Sequence, residues 1–474
     1  MVVPASIAVL RYRGRVTTDA PPDGPAESST TAAPQALGWW DAASLTAPPG
    51  AVSFDVTSTA KPAVAYLLAE RPHRSPLRPG VLVPLGLVVL VIVAYCTAMA
   101  VWPLSAVAPQ VSTAQVQPVT AQTASFTWPK KGAAAAAVEG FGDPVASTAD
   151  QSTIASITKV VTALLVLDKS PVTAQAQGPE FHFSYRDTLD YWSYLHRGES
   201  ALDVPAGGAL TEYQMLEGML MGSANNYAAR LASNWWPSSA SFASAAGQWL
   251  SARGISGITI ADPTGIDHGN TATPAALIAV GQLAMKDPAI AAIVKQKKIT
   301  LPGAGEVENT NELLSDAGVT GLKTGTLEGY NLLAVKNVTI EGTAVQLYSA
   351  VLNQPDSKTR WSASRSLLAE LEKQLNAAPS VPAGTTVGTV HTRWGQTVPV
   401  VTDADAAVVL WNGATAKVTA DVKLGDWAKD AKAGTLTTTG PLNTTTVTAT
   451  LSAEVVGPDF WWRVTHPLDL LGIG

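Results

Sequence analysis

The sequence predicts an α+β protein followed by a small all-β domain, and three observations carry that expectation. Helix-period and strand-like segments are segregated along the chain instead of alternating, which argues against a doubly wound parallel sheet. Three consecutive runs, GLKTGT, NLLAVKNVTI and TAVQLYSAVL, follow one another between residues 321 and 352 and read as strands of one antiparallel sheet. From about residue 380 the texture changes to Thr, Val and Gly. There Asn412-Gly413 stands between two alternating runs, a hairpin signal, and Ala416, Val418, Ala420 and Val422 alternate with polar residues.

Taken in order, the 474 residues fall into five segments. Residues 1–78 are rich in Pro, Ala, Ser, Thr and Gly (PPDGPAESSTTAAPQ) and read as a mostly disordered tail. Residues 79–102 form a transmembrane anchor. Its stretch VLVPLGLVVLVIVAYCTAMAVW, 81–102, carries no charge, enough for one helical crossing of a hydrocarbon core about 30 Å thick. Arg71, His73, Arg74 and Arg78 precede it, and no charge follows until Lys130. The positive-inside bias therefore predicts a single-pass, type II protein with its tail in the cytoplasm and everything beyond the helix outside. Ala98-Met99-Ala100 has a form that signal peptidase accepts, but the preceding region and the apolar run are both too long for a signal peptide.

Residues 103–125 form an uncharged linker, expected to hold the outer part off the bilayer. Residues 126–375 form a globular domain. Within it Thr211 and Gln214 have capping-box spacing at the start of LTEYQMLEGML, ANNYAARLASNWW is a second helical run, and WSASRSLLAELEKQL closes the domain as an amphipathic helix. Residues 376–474 form the β-rich domain, ending in FWWRVTHP, whose bunched aromatics would seal one domain against another or dock on a surface.

Composition narrows the function. A net charge of −6 without any basic stripe gives no sign of nucleic-acid binding. The six His are scattered, the single Cys96 precludes an intramolecular disulfide, and neither H-E-x-x-H nor G-x-S-x-G occurs, so no metal or organic cofactor is implied.

The chemistry is pointed to by ASITKVVTALLVL, residues 155–167. From Ile154 to Leu167, Lys159 is the only ionisable side chain, in a run that is apolar nearly all round, as in a core helix. An ammonium buried there costs several kcal/mol unless it is paired or gives up its proton. Ser156 stands three residues earlier, which puts hydroxyl and amine on the same side of the helix.

Two further elements complete the pattern: Ser223-Ala224-Asn225 at the junction of the two helical runs, and Lys323-Thr324-Gly325 on a strand, followed by Thr326. Singly each is weak; in this order and context they form a specific set. Ser156 is the candidate nucleophile. Lys159 is its base, its pKa lowered by apolar surroundings and by Lys323 as a second cation. Ser223 would relay the proton to the departing amine, and the Asn225 amide would hold the substrate's peptide group. Lys323 and Thr324 offer a cation and a hydroxyl to a terminal carboxylate, while Gly325 leaves room for substrate to lie along the strand. The backbone N–H groups of Ser156 and Thr326 would form the oxyanion hole. Asp262 and Asp267 of DPTGID are expected to shape a turn in the pocket wall and not to act as an acid–base pair.

This set resembles the low-molecular-mass penicillin-binding proteins, the serine D-alanyl-D-alanine carboxypeptidases, in their actinobacterial form. The segments SANN, DPTGID, NTN at 309–311 and GLKTGT are similar to family segments in family order. The resemblance implies a β-lactamase/transpeptidase-like domain: an antiparallel sheet covered by helices, with the site between an all-helical subdomain and the sheet's edge strand. It also implies removal of the last D-alanine from peptidoglycan stem peptides through an acyl-enzyme, with β-lactams acylating the same serine. Ser-Ala-Asn replaces the commoner Ser-Gly-Asn or Ser-Asp-Asn, changing only the middle side chain. The anchor is N-terminal, whereas many relatives use a C-terminal amphipathic helix.

Three alternatives remain. A class A β-lactamase needs a Glu-x-x-Leu-Asn element that is missing between Asn226 and Lys323. A D,D-endopeptidase would use the same residues. A non-hydrolytic penicillin-binding sensor would couple an acylable outer domain to the tail.

Overall fold

The computed structural model describes residues 78–117, 119–375 and 380–473, so the expected tail lies outside the described residues apart from Arg78. Pro79–Val101 is a continuous helix, as the uncharged run predicts, and its most apolar stretch is unburied by the rest of the protein. Among the described residues it is the one single helix long and apolar enough to cross a membrane.

A five-stranded antiparallel sheet organises the chain between Ala133 and Gln354 in the order Val319–Thr326, Tyr330–Ile340, Thr343–Gln354, Ala133–Val138, Val145–Ala146. Every residue of Ala133–Val138 is buried, because both faces of the sheet are covered. Successive side chains of a strand point to opposite faces. Accordingly Leu333, Val335, Tyr348, Ala350, Ala135 and Ala137 join one core with the helix Pro274–Lys286, while Leu332, Ala334, Leu347, Val351, Ala134 and Ala136 join another with Ser357–Leu375. The three strand-like runs and the closing helix stand where the sequence placed them.

The helical part surrounds Thr158–Lys169, which is buried from Thr158 through Leu167 and contacts Glu212–Leu220, Asn225–Ser233, Ser239–Ala252 and Pro274–Lys286. A helix apolar on all sides has this central place open to it and no other in a soluble domain. The expected capping box forms: Thr211 Oγ1 accepts from the Gln214 N–H at 3.2 Å, and the Thr211 N–H donates to Gln214 Oε1 at 3.0 Å.

Two expectations change in the β-rich part. The segment read as a spacer contributes Gln110–Thr113 as the edge strand of a six-stranded antiparallel sheet, paired with Thr386–His391. Val111 and Val116 pack on that sheet's core, so the apolar residues of this uncharged stretch are used for burial and not for a free tether. Asn412-Gly413 does make a tight turn, with φ of 47° and 76° and the Ala414 N–H donating to the Trp411 carbonyl at 3.0 Å. It does not make the expected hairpin. Lys417–Val422 pairs instead with Lys432–Thr439, while Val409 and Trp411 are buried in the core beneath Ser357–Leu375. The Trp411 indole N–H also donates to Gln374 Oε1 at 3.0 Å. Burying a tryptophan of that size outweighs a short ladder.

Candidate active site

Ser156 lies on one 3₁₀ turn, Ala155–Ile157, that feeds directly into Thr158–Lys169. In a 3₁₀ turn residues three apart eclipse. The Lys159 amine accordingly reaches Ser156 Oγ at 2.8 Å, and it also lies 2.6 Å from Asn225 Oδ1 and 2.6 Å from the Thr264 carbonyl oxygen. Lys159 is completely buried. Burial is the main cause that drives its pKa well below the usual lysine value; Lys323 lowers it further, while Asp262 and Glu199 oppose the shift.

The identity of these three partners decides what the amine can do. A neutral amine has two N–H groups and one lone pair. The Asn225 and Thr264 oxygens are carbonyl oxygens that only accept, so they take both N–H groups. The remaining lone pair is then directed at the one partner that can donate, the Ser156 hydroxyl. That is the arrangement of a base before it removes a proton.

Thr264 owes its place to Asp262, whose carboxylate accepts from the N–H groups of Thr264 at 3.1 Å, Gly265 at 3.0 Å and Asp267 at 3.4 Å, and also from the Thr264 hydroxyl and the Asn270 amide. Gly265 has φ +84°, and a Cβ there would stand 2.0 Å from the Ala155 carbonyl oxygen and 2.9 Å from the Ser156 nitrogen. The DPTGID turn is thus pressed against the Ala155–Ile157 turn. The expectation of a pocket wall holds, with Asp262 occupied in holding its own loop together.

Ser223 is buried two residues before Asn225, with φ +61°, and Ala155 before Ser156 has φ +50°. Left-handed conformations of this kind cost roughly 1–3 kcal/mol each in residues other than glycine and collect where surrounding structure fixes functional groups. Among the described residues the Ser223 hydroxyl makes no hydrogen bond. The geometry therefore joins Ser156, Lys159 and Asn225 directly and leaves Ser223 on the same loop.

The strand Val319–Thr326 forms one edge of the catalytic sheet. Lys323 and Thr324 are both buried. The Thr324 hydroxyl is 2.7 Å from that of Thr310 in the NTN segment. Lys323 Nζ has no hydrogen-bond partner among the described residues, and burial, then Arg360, brings its pKa down to about 7. Gly325 has a structural reason beside the expected one: a Cβ there would lie 2.5 Å from the Ile154 carbonyl oxygen and 3.2 Å from Ala155 Cβ. Its bareness lets the Ala155–Ile157 turn sit on the strand.

Sequence reasoning missed two contributors. The Thr264 carbonyl is a backbone atom inside a motif read only as a turn. Arg360 comes from the first turn of Ser357–Leu375, buried between the rings of Trp361 and Tyr330, with its guanidinium at 3.3 Å from Thr326 Oγ1 and 3.5 Å from the Gly325 carbonyl. An arginine on the inward side of an amphipathic helix was the available signal.

Residues 146–356 match the family model described as D-alanyl-D-alanine carboxypeptidase. Among solved structures, a Streptomyces DD-transpeptidase is 24% identical, with 52% of this chain and 98% of that one covered and a TM-score of 0.46. A peptidoglycan synthesis regulatory factor from Streptococcus pneumoniae is 22% identical over 68% of this chain and 99% of that one, TM-score 0.46. A penicillin-binding protein from Listeria monocytogenes in its ampicillin-bound form is 22% identical over 50% and 96%, TM-score 0.41. A comparison with curated proteins gives no match. The matched region spans the serine–lysine turn, the SAN loop and the KTG strand, so residues 146–356 carry a domain of D-alanyl-D-alanine carboxypeptidase type.

Proposed function

We propose that Ser156 is the nucleophile that removes the terminal D-alanine from stem peptides ending in D-alanyl-D-alanine, with neutral Lys159 as its base. The observation that carries this assignment is the buried Lys159 amine, 2.8 Å from Ser156 Oγ and 2.6 Å from each of two carbonyl oxygens; in the neutral amine those two take both N–H groups, which leaves the lone pair for the Ser156 hydroxyl. Lys159 takes the hydroxyl proton as Oγ attacks the carbonyl of the penultimate D-alanine. Negative charge on that oxygen is met by the N–H groups of Ser156 and Thr326; one such donor is typically worth about 10²–10³ in rate. Ser223 passes the proton to the departing amine, and D-alanine leaves. Water then attacks the acyl-enzyme with Lys159 again as base, which restores Ser156.

Lys323, Thr324 and Thr326 grip the substrate's terminal carboxylate, with Arg360 adding charge behind them, and the Asn225 amide N–H donates to the substrate's peptide carbonyl. The groove lined by Tyr194, Arg197, Glu199 and Asp267 beside Thr264 takes the stem peptide upstream of the cleaved bond. β-Lactams acylate the same serine. The catalytic domain at 126–375 stands outside the cell, on an anchor at 79–102 in type II orientation, with the β-rich domain at 376–474 beyond it.

The decisive experiment pairs two readouts. Wild type should be labelled covalently by a fluorescent penicillin and should release D-alanine from diacetyl-lysyl-D-alanyl-D-alanine; Ser156→Ala should do neither. Labelling without release would move the reading to a non-hydrolytic sensor, and persistent labelling of Ser156→Ala would refute the nucleophile.

A further inference from the structure

The end of the described chain folds back onto the outer end of the apolar helix. Phe460–Thr465 is a helix capped by Asp459, followed by a second short helix, Pro467–Leu471. Arg463 donates to the carbonyls of Ala100 at 3.2 Å and Trp102 at 3.0 Å, the last ones of Pro79–Val101 and its exit, which otherwise lack helical partners. From the other side the Tyr95 hydroxyl donates to the Val464 carbonyl at 2.7 Å. Met99, Val107 and Leu470 form a small buried core at the junction, with Leu104, Trp394 and Trp462 packed on it. The outer end of the apolar helix and the terminal hairpin are one packed unit.

What this unit leaves exposed is apolar. Phe460 is 47% exposed, Trp461 71%, Leu468 57% and Ile473 70%, and Leu471 and Trp102 are also exposed. The charges in the segment are turned to other work: Asp459 caps the helix, Arg463 binds the helix end, and Asp469 pairs with Arg393 at 2.8 Å. The contacts to Tyr95, Ala100 and Trp102 set this patch beside the last turns of Pro79–Val101, whose own apolar surface is exposed.

We propose that the 459–473 hairpin is an interfacial collar whose exposed face, led by Trp461 and Leu468, lies in the headgroup region of the bilayer and fixes the β-rich domain against the membrane. Tryptophan favours that depth, where its apolar ring and its polar N–H edge are both accommodated, and Phe and Leu serve the apolar face of helices that lie there. Short helices can hold such a position because tertiary contacts to the anchor order them in advance. The proposal rests on reading Pro79–Val101 as a membrane span. It replaces the image of an outer domain swinging on a spacer with one seated at its own anchor.

The chain's single cysteine makes the test direct. Full-length protein in phosphatidylcholine–phosphatidylglycerol vesicles is spin-labelled at native Cys96, and, in a Cys96→Ser background, at Trp461→Cys, Leu468→Cys or the exposed Lys295→Cys. Fluorescent-penicillin labelling checks that each variant is folded. Collision of the label with oxygen is then compared with collision with a water-soluble nickel chelate. The expected result is oxygen dominance by several-fold at 96, 461 and 468, and chelate dominance at 295. Oxygen dominance at 96 with chelate dominance at 461 and 468 overturns the collar while leaving the span intact. Chelate dominance at 96 overturns the span and the collar with it. Shielding from both reagents at 461 with spin–spin broadening assigns the patch to a second copy of the chain and also overturns the collar.

Discussion

Two lysines lie buried in the same site and are treated in opposite ways. Lys159 has three oxygen partners within 2.8 Å, all from the protein. Lys323 has none among the described residues, although it is equally enclosed. A buried amine left without partners is costly, so its persistence signals a group held ready for a ligand. The protein completes the environment of Lys159 itself and leaves that of Lys323 open, which is what the proposed roles of base and carboxylate holder require.

The largest test of this contrast is Lys159→Met, which keeps volume and removes the base. Acylation by penicillin and turnover of diacetyl-lysyl-D-alanyl-D-alanine should both fall by about 10²–10⁴-fold, the usual worth of a positioned proton acceptor. KM for the peptide should change little, since Lys159 does not touch the carboxylate. Stopped-flow acylation rates and steady-state kinetics give the two numbers separately.

Lys323→Met should have the reverse signature, in binding first. A substrate carboxylate left without its charged partner costs about 2–5 kcal/mol, roughly 30-fold to several thousand-fold in kcat/KM. The same variant should be more stable than wild type. Its folded-state pKa of about 7 lies below the value near 10.4 of an unfolded lysine, so over that interval the unfolded chain holds a proton that the folded chain lacks. Stability therefore rises with pH through this range, and the penalty is complete below about pH 7. Thermal denaturation should show Lys323→Met gaining on the order of a few kcal/mol at pH 6 and distinctly less at pH 9. A variant without any gain would mean that Lys323 is already satisfied in the free enzyme.

A third consequence is read from the rate profile. Free enzyme needs Lys323 protonated to receive a carboxylate, so kcat/KM should decline as pH rises through about 7, approaching tenfold per unit. Bound carboxylate favours the ammonium, which moves the corresponding limb of kcat to higher pH. Lys323→Arg, charged throughout, should flatten the alkaline limb of kcat/KM. The contrast between the lysines would be wrong if that limb were unchanged.

The parts of this site legible in the sequence are those carried by side chains on elements with their own local signals. Ser156 and Lys159 stood out because a charge interrupts an apolar helix, and the sheet strands because their alternation and turns are local. The Thr264 carbonyl was illegible because a backbone atom has no sequence identity and is aimed by a loop folded elsewhere. Gly325 was legible as a glycine but its steric reason was not, since the Ile154 carbonyl that crowds it arrives through tertiary packing. Likewise Asn412-Gly413 announced its turn correctly, while the competition between a β-ladder and the burial of Trp411 is settled only between domains.

The smallest expected effect concerns Asp262, which acts on Lys159 through Thr264. In Asp262→Asn one carboxylate oxygen becomes a donor facing N–H groups, so the loop loosens and the Thr264 carbonyl is less firmly aimed at the amine. Turnover should fall about tenfold, as a small misplacement of a catalytic contact allows. The direction of the acid limb separates this positioning role from mere folding. Asp262 raises the Lys159 pKa by its negative charge, so removing that charge lowers it further, and the acid limb of kcat/KM should move to lower pH. A purely structural loss would reduce the fraction of penicillin-labelled enzyme while leaving that limb in place for the molecules that remain folded. Measured as rate per labelled serine, the two outcomes diverge, and a stationary limb would return Asp262 to the role of a loop staple.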